Sequence, residues 1–181
     1  MTAVIYSIGH SHHSSAGFLA LLQAFNIQTL VDIRRQPRSR RHPHFERAAL
    51  ATSLAASSIQ YEWWGAALGG RRVARSDSPH IALQDGAMRG FADHMQSPQF
   101  RAAAQALATL AKQRVTAFMC AEGDPLQCHR ALLADYLALA GIAVLHITAM
   151  HSCAPHILNA ALGDDRSAAV YNKRAQGDLF A

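Results

Sequence analysis

The segment from Cys120 to Arg130 concentrates side chains that can do chemistry. It contains two thiols, a carboxylate, an imidazole and a guanidinium, carried by Cys120, Cys128, Glu122, His129 and Arg130. A thiolate is a nucleophile and a metal ligand. Carboxylates and imidazoles transfer protons, and a guanidinium binds phosphate through paired hydrogen bonds. Packing alone does not require this set, so the segment is the leading candidate for a functional site.

The two cysteines in this segment leave two interpretations open. Asp124-Pro125 is typical of an N-cap followed by the first residue of a helix, which predicts that Cys128 lies just beyond the first turn. The helix dipole and Arg130 would then lower the pKa of the Cys128 thiol and make it reactive. The alternative is a buried structural cysteine, the usual state of a free thiol. For Cys120, at the end of an apolar strand, burial is favoured, although it would face the same cleft.

Glu122 and His129 also carry alternatives. Glu122 is either a general acid or base, or a partner for Arg130 or a loop amide. His129 can shuttle protons or bind a metal. Zinc held by Cys120, Cys128 and His129 is the weaker hypothesis, because their spacing does not match common structural zinc motifs. The sequence implies no specific cofactor.

Two further candidates follow other predicted strands. Gly9-His10 comes directly after a short apolar run, where a substrate-contacting turn is expected. Asp32 ends the next run, and it either pairs with Arg34 or Arg130 or orients a substrate hydroxyl. The candidate catalytic residues are therefore Glu122, Cys128, His129, Cys120, His10 and Asp32.

A basic region lies between residues 34 and 75, where nine arginines face only two acidic residues, Glu46 and Glu62. One interpretation is a solvated basic loop enriched by coding bias. The other is an anion site, because arginine matches phosphate geometry and these arginines cluster instead of spreading. The candidate phosphate-binding residues are Gly9, Arg34, Arg38, Ser39, Arg40, Gly69, Gly70, Arg71 and Arg130.

The elements that must position these residues alternate between strand and helix. Strands are predicted over residues 4–8, 29–33, 59–64, 115–120 and 143–147. Helices are predicted over residues 14–25, 45–57, 91–112 with a break at Ser97-Pro98, 126–140 and 155–162. This alternation predicts a single-domain, Rossmann-like, three-layer α/β fold with a mostly parallel sheet of about five strands. The carboxyl ends of parallel strands meet at one edge, so His10, Asp32 and Cys120 are expected to share one cleft.

Composition sets the broad class of the protein. The chain has 181 residues, half of them apolar, and a formal net charge of +5, which predicts a globular protein with a sizeable core. No apolar run approaches the roughly 18–20 residues that span a bilayer. The start of the chain lacks a signal-like pattern, and three cysteines do not suggest a disulfide framework. A cytoplasmic protein with no membrane partner is expected, with a compact domain over residues 1–163 and a polar tail over 164–181.

The end of that tail carries a separate motif. Gln176-Gly177-Asp178-Leu179-Phe180 looks like the pentapeptide by which bacterial DNA polymerases and repair proteins dock on the sliding clamp. Gln176, Leu179 and Phe180 would contact the clamp, whereas Gly177 departs from the usual aliphatic second position. The alternative is that Phe180 packs on its own domain.

Together these motifs resemble the family catalogued as domain of unknown function 488. The resemblance covers most of residues 4 to 147 and implies the same compact α/β fold, but it supplies no reaction. A longer stretch from Ser76 to Met88 departs from the family pattern. The matching pieces are Ser7-Ile-Gly-His-Ser11, Leu30-Val-Asp-Ile-Arg34 with Pro37-Arg-Ser-Arg40, Leu68-Gly-Gly-Arg71, Phe91-Ala-Asp-His-Met95, and Cys120-Ala-Glu122 to Cys128-His-Arg130.

Three functional hypotheses follow. The leading one is an enzyme acting on a phosphate-bearing substrate, either nucleic acid or a nucleotide, which the clamp-like tail would deliver to DNA. The second is thiol chemistry, such as sulfur transfer or redox catalysis, with Cys128 as nucleophile and Cys120 as resolving thiol. The third is a non-catalytic module that binds nucleic acid through the basic loop, with binding that weakens steeply as salt rises.

Overall fold

The protein folds around one six-stranded sheet. The computed structural model describes residues 3–165 and 168–173. The strands are β1 Val4–Gly9, β2 Thr29–Asp32, β3 Gln60–Trp63, β4 Thr116–Cys120, β5 Ala143–Ala149 and β6 Ser152–Pro155. They are hydrogen-bonded in the order β3-β2-β4-β1-β5-β6, with β1 to β5 parallel and β6 antiparallel to β5. The predicted α/β fold with a mostly parallel sheet is confirmed.

Helices cover both faces of this sheet. They are α1 Ser15–Ala24, α2 Arg47–Ala56, α3 Gly65–Leu68, α4 Gly86–Met95, α5 Pro98–Gln113 and α6 Arg130–Leu139. Phe18 of α1 and Leu54 of α2 pack with Leu30 on one face. Phe100 of α5 and the buried side of α6 pack with Phe118 on the other. Within the described ranges, no helix has the length and apolar character needed to cross a membrane.

The break between α4 and α5 falls where the sequence places it. The Oγ atom of Ser97 accepts a hydrogen bond from the Phe100 amide at 3.2 Å, and Pro98 is the first residue of α5. Proline fits this position because a first-turn amide has no partner within the helix.

Two predicted elements are wrong in detail. The helix predicted over residues 126–140 begins at Arg130, because Pro125–Gln127 forms a 3-10 turn and Cys128 is extended, with φ −141° and ψ 149°. The helix predicted over residues 155–162 is absent from the described chain. Instead β6 pairs with the open edge of β5, and the His156 amide donates to the Val144 carbonyl at 2.8 Å.

Part of the segment predicted as a tail packs against the domain. Tyr171 is completely buried, and its hydroxyl donates to Asp135 Oδ2 at 2.9 Å. Its amide donates to His80 Nδ1 at 3.2 Å. The predicted clamp-binding peptide, from Gln176 to Phe180, lies outside the described residues.

Candidate functional site

Backbone hydrogen bonds directly join the carboxyl ends of the neighbouring strands β1 and β4. Beyond β1, the His10 amide donates to the Cys120 carbonyl at 3.0 Å, and the Ser11 amide donates to the Ala121 carbonyl at 2.8 Å. Gly9 permits this approach, because a Cβ atom there would lie 1.8 Å from the Glu122 carbonyl oxygen. The loop after β4 is therefore pressed against the end of β1.

A cavity of about 230 Å³ opens at this edge, and we call it the arginine cavity. Four of its lining residues are arginines, namely Arg34, Arg35, Arg38 and Arg71. The opposite wall is formed by Cys120, Glu122, Cys128 and His129. The predicted grouping of thiols, carboxylate and imidazole beside the basic loop is present in the fold.

Asp32 positions the buried arginine of this cavity. Its carboxylate accepts from Arg34 Nε at 2.9 Å, from Arg34 Nη2 at 2.6 Å and from the Tyr61 hydroxyl at 2.7 Å. Asp32 is fully buried and Arg34 is 5 % exposed. Among the described residues, Arg34 Nη1 has no hydrogen-bond partner. Of the two roles considered for Asp32, the structure shows the ion pair with Arg34.

The two thiols are in direct contact. Cys120 Sγ and Cys128 Sγ lie 2.8 Å apart, and both side chains are buried. The contact with the Cys128 thiol and the charge of Arg130 lower the pKa of Cys120. The same contact and burial raise the pKa of Cys128. The expectation that Cys128 carries the lowered pKa is wrong, because the contact with Cys120 and burial outweigh the opposing effects of the Arg130 amide and charge.

His129 is held as a neutral ring against the glycine turn. Its Nδ1 atom lies 3.4 Å from Cys128 Sγ, and its ring meets the edge of Phe91 with 4.9 Å between centroids. Burial lowers its pKa to about 4. Among the described residues, its Nε2 atom has no hydrogen-bond partner. A Cβ atom on Gly70 would lie 2.7 Å from His129 Nδ1, so the glycine lets the turn close over the ring.

His10 lies beside the arginine cavity, not among the residues that line it. Its ring stacks on Phe45 with 4.3 Å between centroids, and its Nδ1 lies 3.0 Å from the Ser11 carbonyl oxygen. Burial, followed by the charge of Arg34, lowers its pKa to about 4. The neutral imidazole therefore packs against Phe45, which follows the arginine-rich residues 34–43.

The basic region between residues 34 and 75 contains two groups of predicted phosphate-binding residues. Some line the arginine cavity, and others make contacts within the region instead. Arg38 and Arg71 line the cavity, and Arg71 has a positive φ of 56°. Ser39 instead accepts from the His42 amide at 3.1 Å through its Oγ atom. Arg40 is exposed, and neither Ser39 nor Arg40 lines the cavity. Gly69 packs against α3, where a Cβ atom would lie 2.3 Å from the Gly65 carbonyl oxygen.

Arg130 lies on the far side of the loop after β4. Its Nη2 atom donates to the carbonyls of Glu122 and Gly123, both at 3.1 Å. It lines a different cavity of about 350 Å³, together with Ser7 and His146, and we call this the second cavity. The single cleft expected from the sequence is therefore two cavities separated by residues 121–124.

Two sets of residues escaped the sequence analysis as site candidates. Arg35 and Gln36 line the arginine cavity, and their place directly after β2 was the available signal. A buried polar chain also runs from β1 to α6 through hydrogen bonds of 2.7, 2.9 and 2.9 Å, joining Ser7, His146, His156 and Asp135. In the sequence, the only indication of this polar chain was Asp135, an acidic residue on the apolar face of α6.

Metal ligation finds no geometric support in the residues described. Within 3–165 and 168–173, no group of three or more His, Cys, Asp or Glu side chains is placed to hold an ion. The zinc hypothesis for Cys120, Cys128 and His129 thus gains nothing from the fold.

Comparison with known proteins gives one match. A family model described as "Domain of unknown function DUF488" matches residues 14–137, about two thirds of the chain. No curated protein matches the chain. No solved structure matches it either.

Proposed function

The chain belongs to the DUF488 family, and we propose that it is an enzyme acting on a phosphate-bearing substrate of the nucleotide or nucleic-acid class. The family's description assigns no activity, so the proposal rests on the site itself. The observation that carries it is the arginine cavity, where four guanidinium groups face a carboxylate, an imidazole and two thiols.

Charge is the first reason to expect an anion. Glu122 is the only carboxylate among the residues that line the arginine cavity. Asp32 is already occupied by Arg34 and Tyr61. Arg34 keeps one buried nitrogen, Nη1, without a partner among the described residues. An anion in the cavity would provide that partner and offset the clustered positive charge.

Size favours a phosphoryl group with only part of its substrate inside. The cavity, at about 230 Å³, is smaller than the ~300–1,000 Å³ typical of sites that enclose a drug-sized ligand. A phosphate and a few neighbouring atoms fit, while the rest of the substrate would lie across exposed Arg35, Arg38 and Arg71. Nucleotides and nucleic-acid chains have this form.

Acid–base chemistry is assigned to the wall opposite the arginines. Glu122 is exposed and lines the cavity, so its carboxylate can exchange protons with substrate and water. His129 is neutral at physiological pH, because burial lowers its pKa to about 4. It would therefore contribute a hydrogen bond, not a charge. Cys120 and Cys128 line the cavity together with Glu122 and His129.

A binding experiment with matched charge changes tests the substrate class. We expect Arg38→Glu with Arg71→Glu to weaken the binding of AMP and of a short single-stranded oligonucleotide at least tenfold. Arg101→Glu with Lys112→Glu, an equal charge change at two exposed positions of α5, should bind as the wild type does. Equal losses in both variants would indicate a general electrostatic effect and contradict a specific site.

An activity screen tests the enzymatic part of the proposal. Nucleotides and oligonucleotides are incubated with the protein, and conversion is scored by mass spectrometry. Glu122→Gln and Cys128→Ser should lose conversion while keeping the wild-type melting temperature. The alternative outcome is that both variants still bind phosphate and that neither they nor the wild type convert any substrate. This result would favour the non-catalytic nucleic-acid-binding module.

Thiol chemistry is a second candidate function, favoured by the contact between the cysteines. The contact with Cys128 lowers the pKa of Cys120, which would make Cys120 the nucleophile of the pair. Cys128 would then be the resolving thiol, reversing the roles expected from the sequence. A Cys120→Ala variant that keeps conversion of phosphate substrates would remove this candidate.

A further inference from the structure

Arg130 carries a buried charge that the fold does not neutralise. Its side chain is 1 % exposed. No carboxylate of the described residues forms an ion pair with it. Burying an unpaired charge destabilises the folded protein unless something compensates it. The two carbonyls that accept from Nη2 supply only part of that compensation.

Most of the donors on this guanidinium are unused. An arginine has five N–H groups, one on Nε and two on each terminal nitrogen. Nη2 serves the carbonyls of Glu122 and Gly123. In the described chain, Nε and Nη1 have no acceptor, so three buried N–H groups remain unsatisfied. Such groups are rare in folded proteins and indicate a missing partner.

Two carboxylates that act electrostatically on His146 in the second cavity, those of Asp124 and Asp135, are committed elsewhere. Asp135 accepts from His156 Nε2, the Asn159 amide and the Tyr171 hydroxyl, all at 2.9 Å. Asp124 lines the second cavity, but its Oδ1 atom caps the 3-10 turn by accepting from the Leu126 amide at 2.9 Å. The partner of Arg130 must therefore come from outside the described fold.

The second cavity offers room for such a partner. It has a volume of about 350 Å³ and is lined by Arg130 and by polar side chains from separate elements, including Ser7, Ser11, His13, His146 and Thr148. Ser7 Oγ and His146 Nδ1 lie 2.7 Å apart. Polar groups that converge from several directions suit a tetrahedral oxyanion better than a flat carboxylate.

We propose that the second cavity is a phosphate site, with Arg130 as its charged donor, separate from the arginine cavity. Its ligand is either free phosphate or the phosphoryl group of a small monoester, and the volume leaves space for a few atoms beyond the phosphoryl group. This site does not depend on the function proposed for the arginine cavity, because residues 121–124 lie between them and the two linings share no side chain.

Crystals soaked in sodium tungstate would locate the anion directly. We expect an anomalous peak for tungsten that places a tungstate oxygen within hydrogen-bonding distance of Arg130 Nε or Nη1. A peak in the arginine cavity with none at Arg130 would overturn this inference and leave the proposed function intact. A peak at Arg130 alone would support the phosphate site in the second cavity and argue against anion binding in the arginine cavity.

Titration in solution separates the two sites and the two ligand sources. Inorganic phosphate and glycerol 3-phosphate are titrated by calorimetry into the wild type, into His13→Glu and into Arg38→Glu with Arg71→Glu. His13→Glu places a carboxylate in the second cavity and should weaken binding there at least tenfold, while binding in the arginine cavity persists. It is preferred to Arg130→Gln, which would also release the loop held by Nη2.

The stoichiometry decides the outcome. Two bound phosphates in the wild type and one in His13→Glu support the site. Unchanged phosphate binding in His13→Glu overturns it, as does tungstate that binds there while neither phosphate compound does. Tighter binding of glycerol 3-phosphate than of phosphate identifies a monoester as the ligand, and the reverse identifies the free ion.

Discussion

Cys120 and Cys128 meet sulfur to sulfur at 2.8 Å, one at the end of β4 and the other in the extended residue before α6. The two thiols are chemically unequal, because the contact lowers the pKa of Cys120 and raises that of Cys128. The Arg130 amide at the start of α6 donates to Cys128 Sγ at 3.4 Å and opposes part of the rise.

Cys120 is therefore expected to ionise first. Replacing Cys128 with Ala removes the contact that lowers the pKa of the Cys120 thiol, so that pKa should rise toward that of an ordinary thiol, near 8.5. Thiolate absorbance at 240 nm, followed against pH in a Cys153→Ser background, measures this. The background variant removes the signal of the exposed Cys153 thiol. Titration of Cys128 at lower pH than Cys120 would contradict the assignment.

Gly70 is expected to tolerate no side chain. Gly70→Ala would place Cβ 2.7 Å from His129 Nδ1, and the ring is confined by Phe91. We expect a loss of about 1–3 kcal/mol in the free energy of unfolding, as for overpacked interiors. Gly86→Ala is the matched control, because its Cβ meets nothing within 4 Å in the first turn of α4. Urea denaturation should show it unchanged or more stable.

The ion pair beneath the arginine cavity should be costly to break from one side. Asp32→Asn leaves Arg34 buried without its counter-charge, and we expect a loss of about 3–5 kcal/mol in unfolding free energy. Tyr61→Phe removes only one hydrogen bond to the same carboxylate and should cost about 1 kcal/mol. The free energies of unfolding are measured by urea denaturation. Similar losses in the two variants would show that the ion pair stabilises the fold no more than the single hydrogen bond from Tyr61.

Stability should fall in mildly acidic solution. Burial lowers the pKa of His10, His129 and His146 from 6.5 to about 4 in the folded protein. Between these values the unfolded chain binds more protons, so the free energy of unfolding decreases as pH falls from about 6.5 to 4. We expect a loss on the order of 1–3 kcal/mol for each histidine.

Chemical denaturation at several pH values measures how the free energy of unfolding depends on pH. A His146→Gln variant, although less stable overall, should show a shallower dependence on pH across the same window. His151→Gln is the control, because that side chain is exposed. A flat profile for the wild type would show that these rings are protonated in the folded state.

The local sequence was sufficient for most of the fold. Apolar runs separated by amphipathic stretches predicted five parallel strands, and Ser97-Pro98 marked the start of α5, because these signals depend only on neighbouring residues. β6 was missed, since Ser152 to Pro155 has little strand character of its own and forms by pairing with β5. Its stability comes from a partner that the local pattern does not contain.

For the site, the sequence by itself determined which residues gather at the carboxyl edge of the sheet, because parallel strands bring their ends together whatever the side chains are. Only the tertiary structure decided how that edge is divided. The close approach of Glu122 to Gly9 places Arg34 and Arg130 in separate cavities, and the contact between the sulfurs makes Cys120 the more acidic thiol. These outcomes depend on burial and on contacts between distant segments, which set the direction of a side chain and the free energy of its charge.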